Sequence, residues 1–163
     1  MAVAFEKMSA AHLDQVLEIE KVSFPTPWSR DSFMGEIQQN DFALYIVAVY
    51  DGAVIGYGGM WLIFNEAHIT NVAVRPDLRG KNIGKALMLE IIRQAVIRCA
   101  NSMTLEVRPS NKTARRLYQG LGFEERGVRK HYYVDTNEDA IIMWKENLPA
   151  QEFKFFHAGR RNV

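Results

Sequence analysis

The sequence predicts a mixed α/β layer structure, and three observations predict it. First, the apolar runs FALYIVAVY and AVIGYGGMWLI meet at Asp51-Gly52, a pair that tolerates the positive φ of a two-residue hairpin turn. Second, ITNVAV passes through RGKNIGKAL into the helically periodic KALMLEIIRQAVIRC, which reads as strand, tight basic loop, helix. Third, helical and strand patterns alternate over 163 residues with no repeat, linker or low-complexity segment. That length suits one domain able to bury a core without disulfide or metal.

Taken in order, residues 2–8 read as a short strand. Ser9 caps a helix to about Val22, with Leu13, Val16, Leu17 and Glu20 at helical spacing. FPTPWS breaks it, because two prolines in three residues end a helix and stiffen a loop. Ser29 caps a second helix to about Gln39, and the hairpin and the strand EAHITNVAVR follow. A helix from about Ile83 to Ala100 leads to the strand SMTLEVR. Ser110 caps a short helix, NKTARRLYQGLG, which Gly122 ends in the left-handed conformation. FEERGVRKHYYV and DAIIMWKEN are the last strands, around the acidic turn DTNED. Strand–helix–strand crossovers are expected on each side of residues 102–108. Residues 148–163, LPAQEFKFFHAGRRNV, have no clear period and read as a flexible end or as a segment docking on this chain or a partner.

A net charge of +1 offers no field to recruit nucleic acid or an anionic membrane. The single cysteine, Cys99, excludes an internal disulfide, fits a reducing compartment, and sits in an apolar helical pattern as a small core residue. The N-terminus lacks the pattern of a signal peptide and no run is long enough to span a membrane, so a soluble cytoplasmic protein is expected. His12, His68, His131 and His157 are too scattered for a metal site, and no G-x-S-x-G marks a serine hydrolase.

Chemistry concentrates in two stretches. A helix N-terminus leaves four N–H groups without helical partners and carries partial positive charge, which suits a diphosphate. Gly80 and Gly84 permit close approach of backbone to such a group, Arg79, Lys81 and Lys85 add charge, and Asn82 is a non-glycine residue that tolerates positive φ. In LEVRPSNKTARRLYQGLGF, Glu106 stands among apolar strand residues. Asn111 and Tyr118, seven apart, share a helix face, so a carboxylate, an amide and a phenol follow the basic loop. A salt-bridged carboxylate and a core tyrosine are the plainer readings of Glu106 and Tyr118.

NVAVRPDLRGKNIGKALM, LEVRPSNKTARRLYQGLGF and RKHYYVDTNEDAIIMW together resemble the general N-acetyltransferase (GNAT) superfamily, and within it the RimI-type ribosomal-protein-alanine N-acetyltransferases. The likeness spans about residues 3–147, which makes 1–147 the domain. It implies a mostly antiparallel central sheet flanked by helices, with a cofactor cleft at splayed central strands. The family's acetyl-CoA pyrophosphate loop, Gln/Arg-x-x-Gly-x-Gly/Ala, falls on Arg79, Gly80, Lys81, Asn82, Ile83, Gly84 and Lys85, with Asn82 at the usual glycine position. Its cofactor-pairing strand falls on Val72, Ala73 and Val74, and its pantetheine-contacting asparagine on Asn111. The general base of this type matches Glu106 and the general acid Tyr118.

The implied reaction is direct acetyl transfer in a ternary complex to a protein N-terminus, the alanine of small-subunit ribosomal protein eighteen in this family. FPTPW and the DTNED turn match the loops flanking the acceptor, with Trp28 a packing surface and Glu138 or Asp139 partners for a basic acceptor residue. An exposed loop aromatic and a solvated acidic turn are their plainer readings. His68, just before the cofactor strand, is a second candidate base. Two other functions stay open: acetylation of a small amine such as an antibiotic or polyamine, and a non-catalytic acetyl-CoA-binding module.

Overall fold

The computed structural model describes residues 1–148, which divide into two compact units, residues 1–62 with 69–93 and residues 63–68 with those from 94 onward. The elements are β1 (Ala4–Lys7), α1 (Leu13–Ser23), α2 (Arg30–Gln38), β2 (Ala43–Tyr50), β3 (Ala53–Ile63), β4 (Glu66–Val74), α3 (Ile83–Ile97), β5 (Ser102–Val107), α4 (Lys112–Gly120), β6 (Glu124–Tyr133) and β7 (Glu138–Lys145), with 3-10 turns at Ala10–His12 and Pro76–Leu78. Hydrogen bonding orders the strands β1-β2-β3-β4-β5-β7-β6. Pairing is antiparallel for β1–β2, β2–β3, β5–β7 and β6–β7, and parallel for β4–β5, so the sheet is mixed and mostly antiparallel. Among the described residues no helix is long and apolar enough to cross a membrane.

In the first unit the inward face of β2 and β3 presents Tyr45, Val47 and Tyr57 to Leu13, Val16 and Ile19 of α1 and Phe33 of α2. Phe33 meets Tyr57 edge-on at 5.7 Å, an arrangement that places ring edge on ring face. The glycines of β3 make this packing possible. A Cβ on Gly59 would lie 2.1 Å from the Tyr45 ring, so the strand gives up a side chain to seat an aromatic one. Asp51 and Gly52 take φ of 50° and 74°, as the Asp-Gly hairpin requires.

Glu20 is the polar exception in this core at 2% exposure. Its carboxylate accepts the Trp28 N–H at 3.0 Å and the Tyr57 hydroxyl, which is why a charged residue completes the apolar spacing of α1. Burial raises its pKa above the ordinary 4.5, opposed by the Trp28 N–H. A raised folded pKa means that this group's stabilising contribution is complete below about pH 4.5 and is lost as pH climbs through the folded value. Glu20→Gln leaves one of the two donors without an acceptor and is expected to cost about 1–3 kcal/mol. Denaturant titration across pH 4–8 checks the linkage: wild-type stability should fall as pH rises through the folded Glu20 value, and that fall should be absent in the variant.

The second unit packs Met103, Leu105 and Val107 of β5 against Ile141 and Met143 of β7, with Leu121 and Phe123 also buried. Lys145, 1% exposed, donates from Nζ to the Leu121 carbonyl at 2.9 Å, placing a cation where the carbonyls of α4 run out.

Three sequence expectations are corrected. Asn111 rather than Ser110 caps α4, accepting the Ala114 N–H on Oδ1 at 3.2 Å. Ser9 precedes a 3-10 turn, and α1 proper begins at Leu13. Cys99 is exposed rather than in the core. The helix α3 stops at Ile97, and Cys99 takes φ 65° in a C-terminal motif with Cys99 N–H to Val96 O and Ala100 N–H to Ala95 O, both 3.0 Å, the place a glycine usually fills. Both expected crossovers are present: β4-α3-β5 joins neighbours, and β5-α4-β6 joins parallel strands between which β7 inserts. The tail beyond Leu148, with His157, lies outside the described residues.

Candidate functional site

Parallel pairing of β4 with β5 runs from Glu66–Ser102 to His68–Thr104, and Glu106 lies two residues beyond Thr104 on the same strand face. That register sets His68 Nε2 2.6 Å from Glu106 Oε2. On the other carboxylate oxygen, Arg129 Nε of β6 stands 3.6 Å away. The Glu106 side chain is only 7% exposed. A nearly buried carboxylate needs such partners, because water no longer solvates it.

The β6–β7 turn is held by a single guanidinium. Arg108, just past β5, donates to both Asp135 oxygens at 3.1 and 3.0 Å and to Thr136 Oγ1 at 2.5 Å. Its plane also lies over the Tyr133 ring, 3.9 Å from the centroid. Glu138, expected to meet an acceptor's basic residue, accepts from the Ser110 N–H at 3.3 Å and from Thr136. Those hydrogen bonds hold its carboxyl below the ordinary range. Asp139 accepts from the His131 N–H at 2.9 Å and pairs with Lys130 at 3.2 Å, and these also lower its carboxyl pKa. Both carboxylates are ionised and already bonded, Asp139 within the hairpin and Glu138 to the hairpin and to the loop before α4. The solvated acidic turn of the sequence reading is thus a cross-braced one.

Tyr118, on α4, packs against Phe123 at 5.8 Å, and burial pushes its phenol up to about 12. Burial also raises the Tyr133 phenol, with Arg108 opposing and the fields of Tyr132, Glu106 and Tyr118 adding to the rise. Tyr133 therefore lies within electrostatic reach of both Glu106 and Tyr118. Asn111 commits Oδ1 to the cap of α4.

The first unit carries the basic loop. Gly80 has φ 78° and Asn82 φ 62°, so asparagine does adopt the left-handed conformation that glycine would favour there. The Asn82 carbonyl accepts the Ala86 N–H at 3.0 Å and opens α3. Nothing lies within 4 Å of where a Gly80 Cβ would be, so backbone conformation requires this glycine and the space before it stays open. Lys81 and Lys85 are exposed and form no ion pair among the described residues, while Ile83 is buried and anchors the loop. Arg79 donates from Nε to Val74 O and from Nη2 to Ser23 Oγ, both at 3.0 Å, tying the loop to the end of β4 and to α1. Left-handed residues, open space at Gly80 and two unpaired lysines at a helix N-terminus fit a diphosphate. Along β4, Ala73 is buried while Val72 and Val74 are half-buried.

Trp28 is half-buried rather than an exposed loop aromatic, its ring 5.4 Å from Phe33 and 6.4 Å from Tyr45. Sequence reasoning missed Arg108, Arg129 and Tyr133. The run RKHYYV, with aromatic and basic residues on adjoining strand positions, was the available signal, but only the register shows which of them faces Glu106.

A mixed sheet, a left-handed basic loop opening a helix, and a shielded carboxylate on the following strand define an acyltransferase class. The chain belongs to the acetyltransferase (GNAT) family, whose model matches residues 13–123, and is an N-acetyltransferase using acetyl-CoA. It is 41% identical over 141 residues to a Bacillus subtilis protein provisionally named a ribosomal protein bS18-alanine N-acetyltransferase, covering 86% of this chain and 93% of that one. It is 33% identical over 138 residues to the Escherichia coli K12 ribosomal protein bS18-alanine N-acetyltransferase, covering 83% and 92%. The crystal structure of the Escherichia coli ribosomal-protein-S18-alanine N-acetyltransferase superposes with a TM-score of 0.81 at 30% identity, over 90% of this chain and 94% of that chain.

Proposed function

We propose that this N-acetyltransferase acts on the α-amine of a protein N-terminus, with the N-terminal alanine of ribosomal protein bS18 as its physiological acceptor and the cytoplasm as its place of action. The observation that carries the reading is Glu106, a carboxylate shielded from water yet held by His68 and Arg129. In a direct transfer, the amine N–H bond breaks, its electron pair stays on nitrogen, and Glu106 takes the proton directly or through water. The neutral amine then attacks the thioester carbonyl, the C–S bond breaks with its electron pair on sulfur, and the second nitrogen proton passes to the leaving thiolate, directly or through water. Val72, Ala73 and Val74 would align the pantetheine arm together with the Asn111 amide. Residues 79–85 would hold the pyrophosphate.

Tyr118 acts at the leaving sulfur as a hydrogen-bond donor. With its phenol near 12 and a thiol near 8.5, full proton transfer is uphill by about 5 kcal/mol, whereas donation of a hydrogen bond to developing thiolate charge has no such cost. Names of the relatives support an α-amine acceptor, and proton chemistry supports it independently. At pH 7 an α-amine of pKa near 8 is about 10% neutral and a lysine near 10.4 about 0.04%, a gap of roughly 250-fold. Trp28, Glu138 and Asp139 belong to the loops that bracket the peptide, the last two accepting a basic residue of the acceptor.

An alanine-initiated basic peptide is compared with the same peptide carrying a blocked N-terminus and an internal lysine. The free α-amine is expected to have kcat/KM at least about tenfold higher. Equal values would refute the α-amine preference, and activity on neither, with turnover of a polyamine, would move the assignment to a small amine.

A further inference from the structure

Glu106 has two basic neighbours, His68 and Arg129, and only the first is at hydrogen-bond distance. The ring of His68 sits at hydrogen-bond distance, Nε2 to Oε2 2.6 Å, with 32% of its side chain exposed against 7% for Glu106. An ionised carboxylate has no proton to give, so His68 is the donor and its neutral ring carries the proton on Nε2. The hydrogen bond aims one carboxylate oxygen and thereby presents the other. We infer that His68 is the positioning residue of Glu106.

The geometry divides the two oxygens. Oε2 is fixed by the His68 ring at 2.6 Å, while Oε1 faces Arg129 Nε at 3.6 Å, beyond hydrogen-bond distance, and is the oxygen left to receive a proton. The ring thus acts through the carboxylate: the amine's proton goes to Glu106 and His68 exchanges none during transfer.

This inference rests on the acetyl-transfer reading and is tested separately from it. Glutamine places an amide N–H close to where Nε2–H stood but does not titrate. His68→Gln is expected to rescue kcat to within about threefold of wild type at pH 8, because its amide restores the donor. His68→Ala, lacking the donor, is expected to lose about three- to tenfold in kcat at pH 8 with KM for acetyl-CoA little changed, and to recover partly with added imidazole. Equal losses in His68→Gln and His68→Ala, or wild-type kcat in His68→Ala, would overturn the inference while leaving the acetyltransferase reading intact. A readout free of turnover is nitrogen-15 NMR of the ring. A slowly exchanging His68 Nε2–H in wild type that disappears in Glu106→Ala supports the pairing, and the opposite tautomer, or a signal indifferent to Glu106→Ala, contradicts it whether or not any peptide is acetylated.

Discussion

Glu106→Gln is expected to lower kcat by about 10²–10⁴ at neutral pH, the cost of removing a positioned proton acceptor while keeping its shape. The deficit should shrink as pH rises, because an amine that has already lost its proton no longer needs the carboxylate. That pH dependence separates base from brace. A residue that only orients the acceptor would lose the same factor at every pH across the amine's titration. Folding should survive, since glutamine still accepts the His68 Nε2–H bond, but the carboxamide no longer balances Arg129, so a modest fall in thermal stability is expected. Initial rates from pH 6 to 9.5 on an alanine-initiated peptide check the prediction.

Gly84→Asp is expected to weaken acetyl-CoA binding by at least about tenfold, or 1.4 kcal/mol. Gly84 stands in the first turn of α3, which begins at Ile83, among the N–H groups assigned to the pyrophosphate. An aspartate there adds bulk and a negative charge where the phosphates carry theirs. The same charge favours the helix itself, because a carboxylate at a helix N-terminus stabilises it. Affinity and stability should therefore move in opposite directions, which unfolding cannot mimic. Asn82→Gly is the control. Asn82 already has φ 62°, so glycine relieves a conformation that asparagine adopts only with some cost, and binding should be unchanged or tighter. Calorimetry on the two variants, with thermal melts, decides the matter: unchanged affinity in Gly84→Asp would remove the diphosphate from this loop.

Much of the fold was legible because it rests on local rules. Asp51-Gly52 and the caps at Ser29 and Gly122 each act within a few residues, and the chain order of strands and helices came out as read. Errors fell where local patterns compete. Ser110 and Asn111 are both good caps, and only backbone geometry chose the second. Cys99 continues the apolar period of α3, yet the helix has already ended two residues earlier and turned the side chain outward. Strand order was not readable beyond neighbours, since nothing local tells β7 to enter between β5 and β6.

Partners of the site residues were hidden for the same reason. Glu106 could be picked out as a charge in an apolar strand, but His68 is 38 residues away and Arg129 lies on β6, and both meet it only through sheet register. Glu20 looked like one more helical position until Tyr57 and the Trp28 N–H were seen converging on it. Arg108 followed a strand as any basic residue might, and its grip on Asp135, Thr136 and Tyr133 depends on the β6–β7 turn folding back.

The central claim is that the acetyl group goes to an N-terminal nitrogen. One peptide carrying both a free N-terminal alanine and internal lysines, incubated with the protein and acetyl-CoA and fragmented by tandem mass spectrometry, locates the modification on a single molecule. Acetyl on the first fragment containing the α-nitrogen, with lysines unmodified at early times, is the predicted result; acetyl accumulating first on a lysine would contradict it.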